Sequence, residues 1–359
     1  MYIDIKIQRK INFMNEKSVA LNWVRIIACI LVIGIHLLPW ISELNRDNIS
    51  LSYTFIEHFV RIGLPMFFAL SALSFSAKQD ILVNIKSYYF RKVVNVFLPF
   101  FVWSAIYFQI SNNEIQSWNS FTIQGFLQGL YKSLYAKQYY HLWYMYALIG
   151  LVLLMPFLKR LIDNLTYHEL TVLCTIILIV QALKEYLRFN INEFYFETWV
   201  SFYIIGAFTF RFETRKYLPI LSAIGGVSYV VSTMIEYLSP NSVLNVRHWD
   251  YSPLMIFQVV GFIAGFLWIE SVTKFPGRRI SEKLSKLTYE VYLSHPLYFI
   301  VLKYMPVFNV YTGSYGIWIK FILVYLETVV VSFVVAALIE LGISLSRKIL
   351  LYIKSFRKS

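Results

Sequence analysis

Ten long apolar runs dominate this chain of 359 residues, and they leave little choice of fold. They cover approximately 19–41, 59–76, 93–110, 141–158, 170–187, 199–212, 218–238, 252–272, 287–305 and 317–345. A helix that crosses a bilayer needs about 20 mostly apolar residues. Backbone polar groups cannot stay unpaired in hydrocarbon, so unbroken runs of this kind fold as helices. The sixth run is short, and the tenth is long enough to tilt or to run on past the membrane. Hydrophobic residues make up 58% of the chain and charged residues 15%. A water-soluble domain of this size carries about 25% charged residues, so the polar surface here is too small to cover a globule. The sequence predicts an all-α polytopic membrane protein with about ten transmembrane helices.

Charge supplies an orientation. With the N-terminus inside, 23 of the 33 Lys and Arg fall in the inner segments 1–18, 77–92, 159–169, 211–217, 273–286 and 346–359, and 7 fall in the outer loops. That asymmetry is the positive-inside pattern for an even number of spans with both termini cytoplasmic. It predicts a multi-pass protein of the cell (plasma or inner) membrane. The expected division is a cytoplasmic flank over 1–18, one transmembrane domain over 19–345 and a basic cytoplasmic tail over 346–359. The first run is too long for a signal-peptide core and no small-residue cleavage site follows it, so it reads as a retained span. A net charge of +13 would suggest nucleic acid in a soluble protein. Here the cationic residues lie mostly between apolar runs, and no nucleic-acid partner is expected.

The polar residues inside the runs carry the functional signal. Ionisable groups in a bilayer are costly and call for a reason. Arg25 and His36 share the first run, VALNWVRIIACILVIGIHLLPWI, eleven positions apart. Eleven helical steps come to three turns plus about 20°, so both side chains lie on one face, about 16 Å apart along the axis. An arginine near the inner surface and an imidazole near the outer one can address one long ligand. Imidazole is suited to act as a general base near neutral pH. The planar guanidinium is suited to phosphate. A second reading of Arg25 is a side chain that snorkels to the headgroups. Arg91 and Lys92, at the inner start of run three, add phosphate contacts or serve the positive-inside pattern.

His58 and His141 also map to the outer third, and Trp143 follows His141 in HLWY. All three are acceptor-side candidates, against an ordinary packing role for each. His295 lies further in, on run nine. His168 and His248 read as loop residues. The segment 111–140 reads as a long outer loop, with Trp118, Tyr131, Tyr135, Tyr139 and Tyr140 as sugar-stacking rings or interfacial anchors. Gly63, Ser71, Ala72 and Ser74 in run two are small enough for helices to approach closely. Arg61 is placed to snorkel at the outer end of that run, and Glu327 should face a polar partner inside the bundle. Cys29 and Cys174 sit in apolar runs and read as buried packing residues. No zinc, EF-hand or phosphate-loop spacing occurs, so neither a metal nor a tightly bound cofactor is expected.

Several segments in series resemble the acyltransferase-3 family of integral-membrane sugar O-acyltransferases. They are Arg25 with His36, RIGLPMFFALSALSFS, YYFRKVVNVFLPFFVW, HLWYMYALIGLVLLMPFL, SFYIIGAFTFR and KLSKLTYEVYLSHPLYF. The likeness is greatest to the branch that O-acetylates surface polysaccharides. The resemblance implies an acyl-CoA co-substrate, usually acetyl-CoA, and an outward-facing or lipid-linked glycan acceptor. It implies an essential histidine at His36, an essential arginine at Arg25, and a basic motif at Arg91 and Lys92. The chain departs from the family pattern in two respects. Ala72 stands where many members have glycine, and no fused extracellular hydrolase-like domain is expected within these 359 residues. On these grounds the expected function is transfer of an acyl, most simply acetyl, group from acyl-CoA to a sugar hydroxyl. A transporter or flippase for a polysaccharide precursor, without covalent chemistry, is the alternative. Paired inverted halves with broken helices would favour it, and no half-to-half correspondence is evident.

Overall fold

The computed structural model describes residues 18–44, 51–72, 84–112, 122–187, 199–239, 252–304 and 317–356, and every regular element among them is a helix. The flank through residue 17, Ser74, Trp118 and His248 lie outside the described residues.

Seven helical stretches are long and apolar enough to cross a membrane: Val19–Pro39, Ile85–Ile110, Tyr140–Asn164, Tyr167–Leu187, Phe212–Leu238, Pro253–Val272 and Trp318–Leu345. They match the first, third, fourth, fifth, seventh, eighth and tenth apolar runs. The protein is therefore an all-helical, multi-pass membrane protein.

The other three runs depart from expectation for physical reasons. Run two is two helices, α2 (Leu51–Arg61) and α3 (Gly63–Ser71), broken at Ile62. Pro65 has no amide to offer the Arg61 carbonyl and its ring crowds that oxygen, so α2 ends there. Run six is a ten-residue helix, Val200–Thr209, about 15 Å long against about 30 Å of hydrocarbon. Run nine is a helix of 27 residues, Arg278–Tyr304, whose charged first turns lower its mean hydropathy. It follows Gly277, whose φ of 75° suits glycine.

Further corrections concern the segments between spans. The expected loop 111–140 contains a helix, Ile123–Lys132, N-capped by Thr122, whose hydroxyl accepts from the Gly125 amide at 3.0 Å. His168 lies in the first turn of Tyr167–Leu187 rather than in a loop. Thr166 and Glu169 form a capping box at the start of that helix: the Glu169 carboxylate accepts from the Thr166 amide and hydroxyl, both at 2.7 Å, and the Thr166 hydroxyl accepts from the Glu169 amide at 3.2 Å. The last helix, Ile317–Phe356, carries 40 residues through most of the expected tail.

In chain order the helices are α1 (Val19–Leu44), α2, α3, α4 (Ile85–Lys92), α5 (Leu98–Asn112), α6 (Ile123–Lys132), α7 (Trp143–Asn164), α8 (Tyr167–Leu187), α9 (Val200–Thr209), α10 (Leu218–Leu238), α11 (Pro253–Val272), α12 (Arg278–Tyr304) and α13 (Ile317–Phe356). They divide into two compact units.

The first unit comprises Met1–Val24, Pro65–Val83 and Leu154–Pro276. Here α10 and α11 meet at glycines, because a Cβ built on Gly225 would lie 2.5 Å from the Gly261 Cα. Close approach at small residues is what holds helices together where no hydrophobic driving force acts between them. Arg211 closes the end of α7, with Nη2 donating to the Ile162 and Leu165 carbonyls at 2.7 and 2.9 Å. The start of α1 is capped twice. The Ser18 hydroxyl accepts from the Leu21 amide at 3.1 Å and donates to Glu270. Glu270 Oε1 in turn accepts from the Val19 and Ala20 amides at 2.7 and 3.2 Å. A carboxylate on helix amides at the positive end of the dipole is stabilising. Glu270→Ala is expected to cost about 1–2 kcal/mol. It should appear as a lower melting temperature in detergent, with Glu270→Gln losing less; an unchanged midpoint for Glu270→Ala would remove the cap from the account.

The second unit comprises Arg25–Leu64, Asn84–Leu153 and Gly277–Ser359. Here the small residue Gly63 lets α3 approach α1, as expected: its Cβ would lie 2.8 Å from the Ala28 carbonyl. Cys29 is a buried free thiol whose Sγ reaches the Thr288 carbonyl at 3.5 Å, and Cys174 in the other unit is also buried and free. Arg61 pairs with Glu57 at 2.7 Å, one turn earlier on α2. Glu327 is half-buried on α13 and engaged in contacts.

Candidate active site

Four elements of the second unit bring their polar residues to one place. The first is α1, which carries Arg25 and His36, both half-buried. The helix is continuous from one to the other, so the axial offset of about 16 Å and the shared face both follow from its geometry. Gly34, two residues before His36, sits hard against Val60, at 2.8 Å for a Cβ on the glycine.

The second element is a 3-10 turn, Tyr140–Leu142, at the head of α7. It turns His141 inward, where the residue is 1% exposed. The Tyr292 hydroxyl donates to the His141 carbonyl and pins the turn to α12. The third element is α5, whose buried Tyr107 donates to the Leu293 carbonyl at 2.8 Å.

The fourth element is α12, which supplies His295, 0% exposed. Pro296 follows it. Proline has no amide, so the Tyr292 carbonyl four residues earlier has no helical donor. His295 Nδ1 lies 2.8 Å from that oxygen. A carbonyl only accepts, so Nδ1 carries a hydrogen, and in the neutral ring Nε2 holds the lone pair. The same device operates on α7, where Pro156 frees the Val152 carbonyl and the Tyr88 hydroxyl takes it at 2.8 Å.

The rings form one cluster. His36 stacks on His295 with centroids 5.2 Å apart and planes 21° apart. His141 meets His295 edge-on at 5.4 Å. Tyr140 meets His36 edge-on at 4.9 Å. Tyr107 stacks on Tyr139 at 4.8 Å and meets His141 at 5.0 Å. Neither ring nitrogen of His141, nor Nε2 of His295, makes a hydrogen bond among the described residues. Buried polar atoms are ordinarily paired with protein, water or ligand, so these three nitrogens are candidate contacts for a polar ligand. Among the described residues no group of three or more His, Cys, Asp or Glu side chains has the geometry to hold a metal ion.

The basic residues lie near the start of α1, at Arg25, and at the end of α4, at Arg91 and Lys92. Arg91 is exposed at the end of α4. Lys92 is half-buried, with Nζ 5.7 Å from the centre of the Tyr88 ring. A π-helical segment, Val93–Phe97, follows directly. Such widened turns recur at functional sites. The Tyr289 hydroxyl donates to the Val96 carbonyl within it at 2.6 Å and ties it to α12.

Of the residues singled out in the sequence, His36 and His141 thus come together. Trp143 stands 36% exposed at the first position of α7, with its ring against Tyr144. His58 is buried in α2 together with Thr54 and Val60. The residue missed as a site member is His295, and with it Tyr107 and Tyr292. Its signal was the His-Pro pair in LSHPLYF, because a proline inside a helix frees a carbonyl that the preceding side chain can take.

No curated protein and no solved structure matches this chain. The profile of the acyltransferase-3 family, described as an acyltransferase domain, matches residues 18–340. That match takes in every element of the histidine cluster and nearly the whole sequence, and the chain belongs to the acyltransferase-3 family.

Proposed function

We propose that this membrane acyltransferase moves an acetyl group from acetyl-CoA to a sugar hydroxyl of a surface polysaccharide or its lipid-linked precursor. The reading takes residues 19–345 as one catalytic domain of about ten membrane helices, the sixth of them short, with both termini cytoplasmic. The excess of Lys and Arg in alternate segments supports that orientation. The observation that carries the proposal is the placement of His36, which sits among His141, His295 and Tyr140 and on the same helix face as Arg25.

In this mechanism the CoA phosphates stay at the inner end, held by Arg25 with Arg91 and Lys92. The pantetheine arm runs parallel to α1 toward His36. His36 takes the proton of the sugar hydroxyl as its oxygen attacks the thioester carbon. A C–O bond forms, the C–S bond breaks, and the proton passes from the imidazole to the departing sulfur. The products are the sugar ester and free CoA. Holding donor and acceptor in line supplies much of the rate, and CoA itself never crosses the bilayer. His141 and Trp143 stand on the acceptor side, with His58 further along the same leaflet.

Glycan composition with and without the protein tests this reading. O-acyl groups should vanish from the surface glycan by mass spectrometry while polymer length and amount persist. Loss of the whole polymer would instead indicate export and overturn the proposal.

A further inference from the structure

His295 has no role in the mechanism above, yet it is the most completely fixed imidazole of the three. Its Nδ1 hydrogen is committed to the Tyr292 carbonyl, which Pro296 leaves free. Rotation of the ring would break that bond, so Nε2 points one way. It is buried and has no hydrogen-bond partner among the described residues. Its ring lies nearly parallel to that of His36, with centres 5.2 Å apart. Stacked imidazoles at that spacing cannot hydrogen-bond each other edge to edge. Each can accept one hydrogen bond from a ligand that spans the two rings.

We propose that His295 is a second acceptor-binding histidine, whose Nε2 accepts a hydrogen bond from a hydroxyl adjacent to the one His36 deprotonates. The pocket then selects sugars with two neighbouring free hydroxyls. Adjacent ring hydroxyls can reach both imidazoles with hydrogen bonds of about 2.7–3.0 Å, whereas hydroxyls across a ring diverge. The inference rests on the acyl-transfer reading for the identity of the reacting hydroxyl, but the diol contact is measurable without turnover.

The test uses the full chain in nanodiscs with 15N-labelled histidine. Without ligand, the His295 resonances should report hydrogen on Nδ1 and none on Nε2; the opposite tautomer overturns the proposal. Adding trans-cyclohexane-1,2-diol should shift the Nε2 resonance, and cyclohexane-1,4-diol at equal concentration should not. Equal shifts, or none, overturn it. In cells, Pro296→Ala restores an amide to the Tyr292 carbonyl and releases the histidine. A purely structural role makes that change harmless or stabilising, because alanine favours helix. We expect it instead to lower glycan O-acylation about tenfold, as the loss of one buried hydrogen bond implies. His295→Leu should lower it at least as far, and His295→Gln, which places an acceptor near the Nε2 position, should stay within about threefold of the parent. Unchanged O-acylation in Pro296→Ala and His295→Leu sinks the idea. If the parent chain itself transfers no acyl group, the functional reading fails, and the resonance shifts alone judge the diol site.

Discussion

His36→Ala should lower glycan O-acylation by about 10²–10⁴-fold, the range a positioned general base contributes, with no fall in protein abundance. The side chain is half-buried and meets the rings of Tyr140 and His295. Its removal therefore opens little core, and the melting temperature should stay near the parent value. His36→Gln separates two roles. Glutamine keeps a hydrogen-bonding group in the pocket but cannot take a proton and pass it on. Acceptor binding should survive in that variant while transfer fails. The neighbours sharpen the expectation. His295 has its Nδ1 hydrogen tied to the Tyr292 carbonyl, and His141 is turned in from a 3-10 segment on a different helix. Neither is placed on the Arg25 face of α1, so neither should replace His36. The measurement is the O-acetyl content of the glycan, normalised to protein in the membrane. Parent-level O-acetylation in His36→Ala at equal abundance would falsify the base assignment.

Much of this was legible in the sequence where composition alone decides the outcome. A stretch such as Pro253–Val272 is long and apolar enough to cross a membrane, and no distant contact is needed to know it. The face shared by Arg25 and His36 was legible for the same reason, since helical rise and twist are local quantities. The break at Ile62 was legible in principle from Pro65, but the apolar pattern runs through it unchanged and masks the turn. Helix α6 was hidden by the polar and aromatic character of its surroundings. Its marks, a Thr122 cap and apolar residues at Ile123, Leu127 and Tyr131, recur every four positions. The charged first turns of α12 concealed its length. The histidine cluster could not be assembled by local reasoning, because His36, His141 and His295 come from three helices far apart in the chain. Burial of Tyr107 against Leu293 and of Tyr292 against the His141 turn sets their approach.

The second large effect is expected at the other end of α1. Arg25→Ala should raise the acetyl-CoA concentration needed for half-maximal transfer by about 10- to 150-fold, which corresponds to about 1.5–3 kcal/mol for hydrogen bonds to a charged group. Arg25→Lys should recover only part of that, because an ammonium offers a point charge in place of the two-pronged guanidinium contact. Arg25 already takes part in contacts within the protein, so a loss of affinity in the alanine variant has two explanations, a lost phosphate or a disturbed helix. The donor distinguishes them. Acetyl-pantetheine carries the same thioester and none of the phosphates. If Arg25 holds phosphate, the alanine variant should use acetyl-pantetheine about as well as the parent does, while its advantage with acetyl-CoA disappears. If Arg25 only braces α1, both donors should suffer alike. Equal losses with the two donors would leave α1 without its inner anchor for CoA, and the route of the pantetheine arm along this helix would have to be abandoned.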